Sequence, residues 1–105
     1  MTKSHVCNTV YTHGMEFEWD TGNSDKNLKE HQVSDEETEE VFSDSRKVQK
    51  SDPLHSAKEK RFVLLGKTKK GRLLFIVYTI RKTKIRVISA RDANQKERPL
   101  YEKAT

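Results

Sequence analysis

Residues 72–91 (RLLFIVYTIRKTKIRVISAR) constrain the fold of this chain more than any other stretch. They are rich in β-branched and aromatic residues, and the polar segment RKTK at positions 81–84 divides them into two runs. Two β-rich runs joined by a short polar break predict an antiparallel hairpin, with Lys82 and Thr83 as a two-residue turn.

The predicted hairpin has one apolar face and one face that becomes basic toward the turn. Its register pairs Ile80 with Ile85, Tyr78 with Val87, and Ile76 with Ser89. The opposite face begins apolar and carries Thr79, Arg81 and Arg86 near the turn. Lys82-Thr83 lacks the Asn-Gly sequence typical of two-residue turns. A three-residue loop is therefore an alternative, and it would exchange the residues assigned to the two faces.

The first half of the chain predicts a strand followed by two helices. In EFEWD, polar and apolar residues alternate, which predicts a strand with Phe17 and Trp19 facing the core. Asn23 or Ser24 is expected to cap a short helix that ends at His31.

The second helix has the clearer start signal. Ser34 and Glu37 have the spacing of a capping box, and the helix they predict includes Val41 and Phe42. The polar connection that follows leaves room for a brief edge strand at 46–48.

The second half adds a strand and a helix to the hairpin. Residues 60–65 predict a strand that ends at Gly66 and turns at 69–71 into the hairpin, which makes a three-stranded meander. Ser89 is expected to cap a C-terminal helix, and Pro99 should kink or restart it because proline lacks the backbone donor.

Charge divides the 105-residue chain into two unlike halves. Residues 1–52 hold 6 Lys/Arg and 12 Asp/Glu, and residues 53–105 hold 15 and 4, so the net charges are −6 and +11. A basic half of this strength predicts an anionic partner, most commonly nucleic acid. Exposed lysines that serve only solubility are the alternative for several positions, but arginines held on a strand suit bidentate phosphate binding.

Several classes of protein are disfavoured by the sequence. Cys7 is the one cysteine, so the chain cannot form an internal disulfide, and its spacing from His5 and His13 matches no usual zinc site. No apolar run reaches membrane-spanning length or resembles a signal peptide, so a soluble cytoplasmic protein is expected. We expect residues 1–14 to be a disordered extension and residues 15–105 to form one domain.

Short motifs along residues 16–102 match those of a known family. The first half contains Phe17-Glu18-Trp19-Asp20, Gly22-Asn23, Lys26-Asn27, His31-x-Val33 and Glu39-Glu40-Val41-Phe42. The second half contains His55-Ser56, Glu59-x-Arg61-Phe62, Leu65-Gly66-x-Thr68, Gly71-Arg72, Thr79-x-Arg81, IRVISARD at 85–92, Glu97-Arg98 and Tyr101-Glu102. Together they resemble the BrnT toxins, members of the RelE-like ribonuclease group of bacterial type II toxin–antitoxin systems.

The resemblance implies both a fold and partners. The fold would be α+β and RelE-like: a small antiparallel meander packed by two N-terminal helices and a C-terminal helix. The chain would be an endoribonuclease toxin that inhibits translation, with no cofactor, metal or membrane. Its partners would be a BrnA-like antitoxin of the ribbon-helix-helix type, RNA (including ribosome-bound mRNA) and, through the antitoxin, operator DNA.

RNA cleavage of this kind uses the 2′-hydroxyl of the substrate as its nucleophile, so the protein needs only proton-transfer groups and cations. Arg81 and Arg86 are the candidates for stabilising the transition state, and His31 is the candidate acid or base if it folds near them. Further cations would bind RNA phosphates: Lys26, Arg61, Arg72 and Arg91.

Two departures from the family pattern keep another function open. The family usually has Lys-His where this chain has Glu30-His31, and Pro99 is unusual in the last helix. The alternative is a non-catalytic toxin-like module that binds RNA, or only its antitoxin and the operator complex.

Overall fold

The computed structural model describes residues 14–52 and 59–104. Predictions for Cys7, His5, His13 and His55 therefore lie outside the described residues. The elements are β1 (Glu16–Phe17), a π-helical turn (Thr21–Asp25), α1 (Lys26–His31), α2 (Asp35–Phe42), β2 (Val48–Ser51), β3 (Arg61–Lys67), β4 (Leu73–Arg81), β5 (Lys84–Asp92) and α3 (Arg98–Ala104). The predicted α+β class is confirmed.

A single five-stranded sheet, in the order β1-β5-β4-β3-β2, is the centre of the fold. The pairs β2–β3, β3–β4 and β4–β5 are antiparallel, so the predicted three-stranded meander is confirmed as β3–β4–β5. The short β1 pairs in parallel with the start of β5, which makes the sheet mixed.

The hairpin turn lies where the sequence predicts it, at Lys82 and Thr83, and Lys82 takes the positive φ of 57°. The register is confirmed nearest the turn, where Ile80 pairs with Ile85 and Tyr78 with Val87. Farther away it is wrong by one residue: Ile76 pairs with Ala90, not Ser89, because a β-bulge leaves Ile88 without a partner on β4. A bulge adds one residue to one strand and shifts every later pair.

The first helical segment starts earlier than predicted. Asp20, not Asn23 or Ser24, is the N-cap, and its side chain accepts hydrogen bonds from the N–H groups of Gly22 and Asn23 at 2.9 and 3.3 Å. His31 does end α1, as predicted.

The capping box of α2 is confirmed. The Ser34 hydroxyl accepts from the Glu37 N–H at 3.1 Å, and the Glu37 carboxylate accepts from the Ser34 N–H at 3.0 Å.

The boundaries in the second half need three corrections. The edge strand β2 occupies 48–51 rather than 46–48, and β3 continues through Gly66 to Lys67. The predicted helix start at Ser89 is wrong, because β5 extends to Asp92 and α3 begins at Arg98. Pro99 therefore lies in the first turn of α3, where a missing backbone donor costs nothing.

The two faces of the sheet pack against different helices. The larger core lies against α2 and includes Val41, Phe42, Leu64, Ile76 and Tyr78. The smaller core lies on the opposite face, where Ala93 and Tyr101 contact Leu65 and Leu73. That opposite face also carries the basic end of the hairpin, since side chains alternate along each strand.

Trp19 packs against the larger core, as the sequence predicts, although it remains partly exposed. Its ring stacks on Phe17 with centroids 6.2 Å apart, and its indole N–H donates to Glu39 Oε2 at 2.7 Å. The first strand is thereby joined to α2.

Side chains from the π-helical turn and α1 bind the edge of β5 beyond the short β1. Asn23 Nδ2 donates to the Val87 carbonyl at 3.0 Å, and Asn27 Oδ1 accepts from the Ala90 N–H at 3.2 Å. Both asparagines are buried. Their side-chain amides bond the backbone groups of β5 that a neighbouring strand would otherwise bond. They also hold the N-terminal segment at a fixed position along β5.

Candidate functional site

Three neighbouring strands place two arginines in one row on the face opposite α2. Arg61 on β3 pairs directly with Thr79 on β4, which pairs with Arg86 on β5. Thr79 is buried, and its hydroxyl donates to the Lys60 carbonyl at 2.7 Å, so it forms the floor between the arginines. Arg81 lies two residues further along β4, on the same face.

Arg86 is held by two carboxylates from the β1 region. Its guanidinium donates to both oxygens of Asp20, at 2.9 and 3.2 Å, and to Glu18 Oε1 at 3.3 Å. The hydrogen bonds from Arg86 lower the pKa of the Asp20 carboxyl, and those from Asp20 raise the pKa of Arg86. With 19% of its side chain exposed, Arg86 is the more fixed of the two hairpin arginines.

Arg81 is held by the carboxylate of a residue that lies two positions before β3. Its Nε and Nη2 donate to the two oxygens of Glu59 at 2.6 and 3.0 Å, and its side chain is 48% exposed. The hydrogen bonds from Arg81 lower the pKa of Glu59, and the charges of Arg61 and Arg86 lower it further. Glu59 therefore lies among all three arginines.

The guanidinium groups of Arg81 and Arg86 converge on a single oxygen atom. Glu18 Oε1 lies 3.3 Å from Nη1 of Arg86 and 3.9 Å from Nη1 of Arg81. A planar guanidinium donates to carboxylate and phosphate oxygens in the same fork geometry. Since carboxylates already occupy these forks, the position of Glu18 Oε1 is one where a phosphate oxygen could contact both arginines.

His31 is not part of this cluster. It lies at the end of α1, where its carbonyl accepts from Arg72 Nη2 at 3.1 Å, and Arg72 in turn pairs with Asp92. Asp92 and Arg86 are six residues apart on β5, a distance of roughly 20 Å at the usual rise of a strand. The condition that His31 folds near Arg81 and Arg86 is therefore not met.

Arg72, predicted to bind phosphate, has internal acceptors for all five of its N–H groups. They donate to Asp92 (twice), Glu37, and the carbonyls of His31 and Gln32, at 2.7–3.1 Å. Arg72 thus joins the end of α1 to the start of α2 and to β5. A phosphate could bind it only by displacing one of these partners.

The other two predicted phosphate ligands also have protein partners. Lys26 Nζ donates to the carbonyl of the bulge residue Ile88 at 2.5 Å. Arg91 donates to both oxygens of Glu97, at 3.0 and 2.8 Å, and its guanidinium lies 4.3 Å from the centre of the Phe75 ring. Neither residue lies in the Arg61–Arg81–Arg86 cluster.

Sequence reasoning missed the three carboxylates of the cluster, Glu18, Asp20 and Glu59. A signal for two of them was present: Glu18 and Asp20 alternate with Phe17 and Trp19, so they should face away from the core. Glu59 has the spacing Glu-x-Arg with Arg61, but this alone does not identify Arg81 as its partner.

The fold and the arginine cluster define a small α+β protein whose sheet presents convergent guanidinium groups for an anionic ligand. The chain belongs to the family described as ribonuclease toxin, BrnT, of type II toxin–antitoxin system, whose sequence model matches residues 19–97. No curated protein is similar enough to match it. Within residues 14–52 and 59–104, no helix is long and apolar enough to cross a membrane.

Proposed function

We propose that this chain is a metal-independent endoribonuclease toxin that cleaves RNA through attack by the 2′-hydroxyl and thereby inhibits translation in the cytoplasm. A BrnA-like antitoxin of the ribbon-helix-helix type would neutralise it and connect it to operator DNA. Membership of a ribonuclease toxin family supports the reaction class. The observation that carries the mechanism is the convergence of Arg81 and Arg86 on one oxygen.

The two arginines would stabilise the charge that develops on the phosphate. As the 2′-oxygen bonds to phosphorus, negative charge grows on the non-bridging oxygens, and preorganised cations beside them lower the barrier. Arg61 would bind an adjacent phosphate from the same face. Its distance from Arg86, two strand spacings or roughly 10 Å, suits neighbouring contacts along an RNA backbone.

A carboxylate of the cluster would accept the proton of the 2′-hydroxyl. When an RNA phosphate enters the fork of Arg81, it displaces the Glu59 carboxylate, which is then an unpaired base next to the ribose. The 2′-oxygen bonds to phosphorus as its proton passes to the carboxylate, the bond from phosphorus to the 5′-oxygen breaks, and the leaving 5′-oxygen takes up a proton from water. The product is a 2′,3′-cyclic phosphate. We assign no step to His31 because it lies at the other end of β5.

The chemistry of the RNA ends tests this reaction directly. Purified protein should produce a 2′,3′-cyclic phosphate and a 5′-hydroxyl, and cleavage should continue in EDTA. A 5′-phosphate end, or activity that disappears with chelator, would overturn the mechanism and favour a metal-dependent one.

Substitution of the arginines tests the site. Arg81→Lys and Arg86→Lys keep the charge but lose the fork, so each should reduce cleavage by about 100-fold if the geometry matters, in line with the loss of one oxyanion donor. Arg46→Lys, on the exposed loop before β2, is the matched control and should have wild-type activity. Full activity in the Arg81/Arg86 double alanine variant would place the site elsewhere.

The cleavage assay on wild-type protein distinguishes the non-catalytic alternative. The pairing of Arg81 and Arg86 with the protein's own carboxylates is the observation that favours it. A module of this kind would bind RNA or the antitoxin, yet pure wild-type protein would leave RNA intact, with or without ribosomes.

A further inference from the structure

An open groove lies on the same face of the sheet as the arginine cluster. Its volume is about 700 Å³, and its lining is mostly apolar, with Val48, Val63, Leu65, Phe75 and Leu100 as the main side chains. That volume lies within the range of roughly 300–1,000 Å³ in which proteins bury ligands. Because α3 covers the sheet only near Leu65 and Leu73, the floor of the groove remains open beyond it.

One side chain in the groove is unusually exposed for an apolar residue. Leu100 on α3 is 55% exposed, and Leu28 on α1, the other exposed large apolar residue among the described ones, is 54% exposed and lies outside the groove. A solitary exposed leucine needs no explanation, but one that borders an apolar groove marks a surface suited to a partner.

The groove is suited to protein rather than to RNA. Its described walls include Lys50 but also the carboxylates of Asp52 and Glu97, and Glu97 is paired with Arg91, so they offer little net attraction for phosphate. Phe75 could stack on a base, but the guanidinium of Arg91 already lies over its ring, 4.3 Å from the centre. Aliphatic side chains such as Val63 and Leu65 offer a base no stacking surface.

The groove is continuous with the arginine cluster. Val63 and Arg61 are two residues apart on β3 and point to the same face, so roughly 7 Å of strand separates the apolar floor from the first arginine. Arg81 and Arg86 already bind carboxylates in fork geometry. Acidic residues of an occupant, placed beyond its apolar ones, could therefore replace the protein's own carboxylates on these arginines.

We infer that the antitoxin docks here: a segment of it places apolar side chains in the groove and carboxylates on Arg61, Arg81 and Arg86. This inference rests on the proposed function, because that supplies the partner. Neutralisation follows from the geometry, since the segment would occupy the forks that RNA phosphates need. Charge at the rim would speed association, and the buried apolar contact would set the lifetime of the complex.

Two matched pairs of variants test the docking surface. The protein is co-expressed with its proposed ribbon-helix-helix antitoxin, and the dissociation constant of the purified pair is measured. Leu100→Glu should weaken binding at least tenfold, whereas Leu28→Glu, equally exposed on α1, should change it less than twofold. Lys50→Glu in the groove wall should also weaken binding to an acidic segment, while Lys29→Glu on α1 should not.

The readouts separate failure of the surface from failure of the function. Cells that carry Leu100→Glu should be poisoned despite the antitoxin, and the RNA cleavage of the isolated variant should equal that of wild type. If wild type binds the antitoxin and Leu100→Glu binds it equally well, the docking surface is wrong and the proposed function stands. If wild type does not bind the antitoxin, the docking surface and the proposed partner fail, while the assay of the RNA ends still decides the proposed reaction.

A second copy of this chain is the competing occupant. In that case the isolated wild-type protein would be a dimer by light scattering, and Leu100→Glu would make it a monomer. That result would overturn the assignment of the groove to the antitoxin.

Discussion

Arg86 and Asp20 form a two-point ion pair across the junction of β5 with the N-terminal segment, with N–O distances of 2.9 and 3.2 Å. The same Asp20 carboxylate caps the helical segment through the Gly22 N–H. Asp20 therefore has two roles. It fixes the local backbone, and it binds the Arg86 guanidinium, which we propose binds the phosphate of the substrate.

Asp20→Asn should tighten RNA binding. The amide can still accept the capping hydrogen bonds, but the negative charge that competes with phosphate for Arg86 is gone. For exposed charges a few ångströms apart, that corresponds to about two- to fivefold in the dissociation constant at low salt. The measurement is binding of an RNA with a 2′-deoxy substitution at the cleavage site. Asp25→Asn, exposed on the same helical segment, is the control, and equal effects of the two substitutions would show that only net charge matters.

Trp19→Ala should destabilise the fold by roughly 2–3 kcal/mol. Fully buried Trp→Ala changes cost roughly 3–5 kcal/mol, and Trp19 is only partly buried, but it also loses its stack on Phe17 and its bond to Glu39. Trp19→Phe keeps part of the stack and should cost less. Denaturant unfolding measures both, and unchanged stability of the alanine variant would contradict the packing of β1 on the core.

The parts of the fold that could be predicted depend on short-range signals. The capping box of Ser34 and Glu37 and the turn at Lys82 and Thr83 are set by neighbouring residues, so the pattern was sufficient. The bulge at Ile88 was not visible, because it reflects how β5 fits β4 along its whole length. The start of α3 after the predicted Ser89 has the same cause. Hydrogen bonding to β4 extends β5 to Asp92, and this pairing outweighs the local sequence signal for a helix start.

The candidate site was half predictable. The period of two along β4 and β5 placed Arg81 and Arg86 on one face, and the structure agrees. Their carboxylate partners come from elements far away in sequence, such as Glu18 and Asp20, and no local pattern reports such pairs. Carboxylates of the acidic first half thus neutralise part of the positive charge of the second half within the protein. Counting charges in each half cannot detect this pairing, so the count assigns all of the positive charge to a partner.

Gly66→Ala should destabilise the protein by roughly 1–3 kcal/mol through overpacking. A Cβ on Gly66 would lie 2.9 Å from Val41 Cγ1, 3.2 Å from Asp44 Oδ2 and 3.3 Å from Lys47 Cβ, so α2 would have to move away from β3. Val41→Ala removes the closest of these atoms. The double variant should therefore be more stable than the sum of the two single losses predicts, and strict additivity in thermal unfolding would show that Val41 is not the obstacle.

Arg72→Met should cost roughly 1–3 kcal/mol near neutral pH, because it leaves the carbonyls of His31 and Gln32 and the carboxylates of Glu37 and Asp92 without their donor. Arg46→Met, on an exposed loop, should cost little.

The loss from Arg72→Met should shrink in acid. Hydrogen bonds from Arg72 lower the pKa of Asp92 below its ordinary 3.8, and the Ser34 N–H together with Arg72 lowers that of Glu37 below its ordinary 4.5. Carboxylates with lowered pKa stabilise the folded state fully above those ordinary values, and the stabilisation disappears as the pH falls through the lowered ones. Wild type should therefore lose more stability than Arg72→Met between about pH 5 and pH 2, as measured by urea unfolding at each pH. The curves of unfolding free energy against pH for wild type and Arg72→Met should therefore approach each other in acid. Because Glu37 keeps its hydrogen bond from Ser34, Arg72→Met should still lose some stability in acid. Parallel curves across that interval would show that Arg72 does not hold these carboxylates.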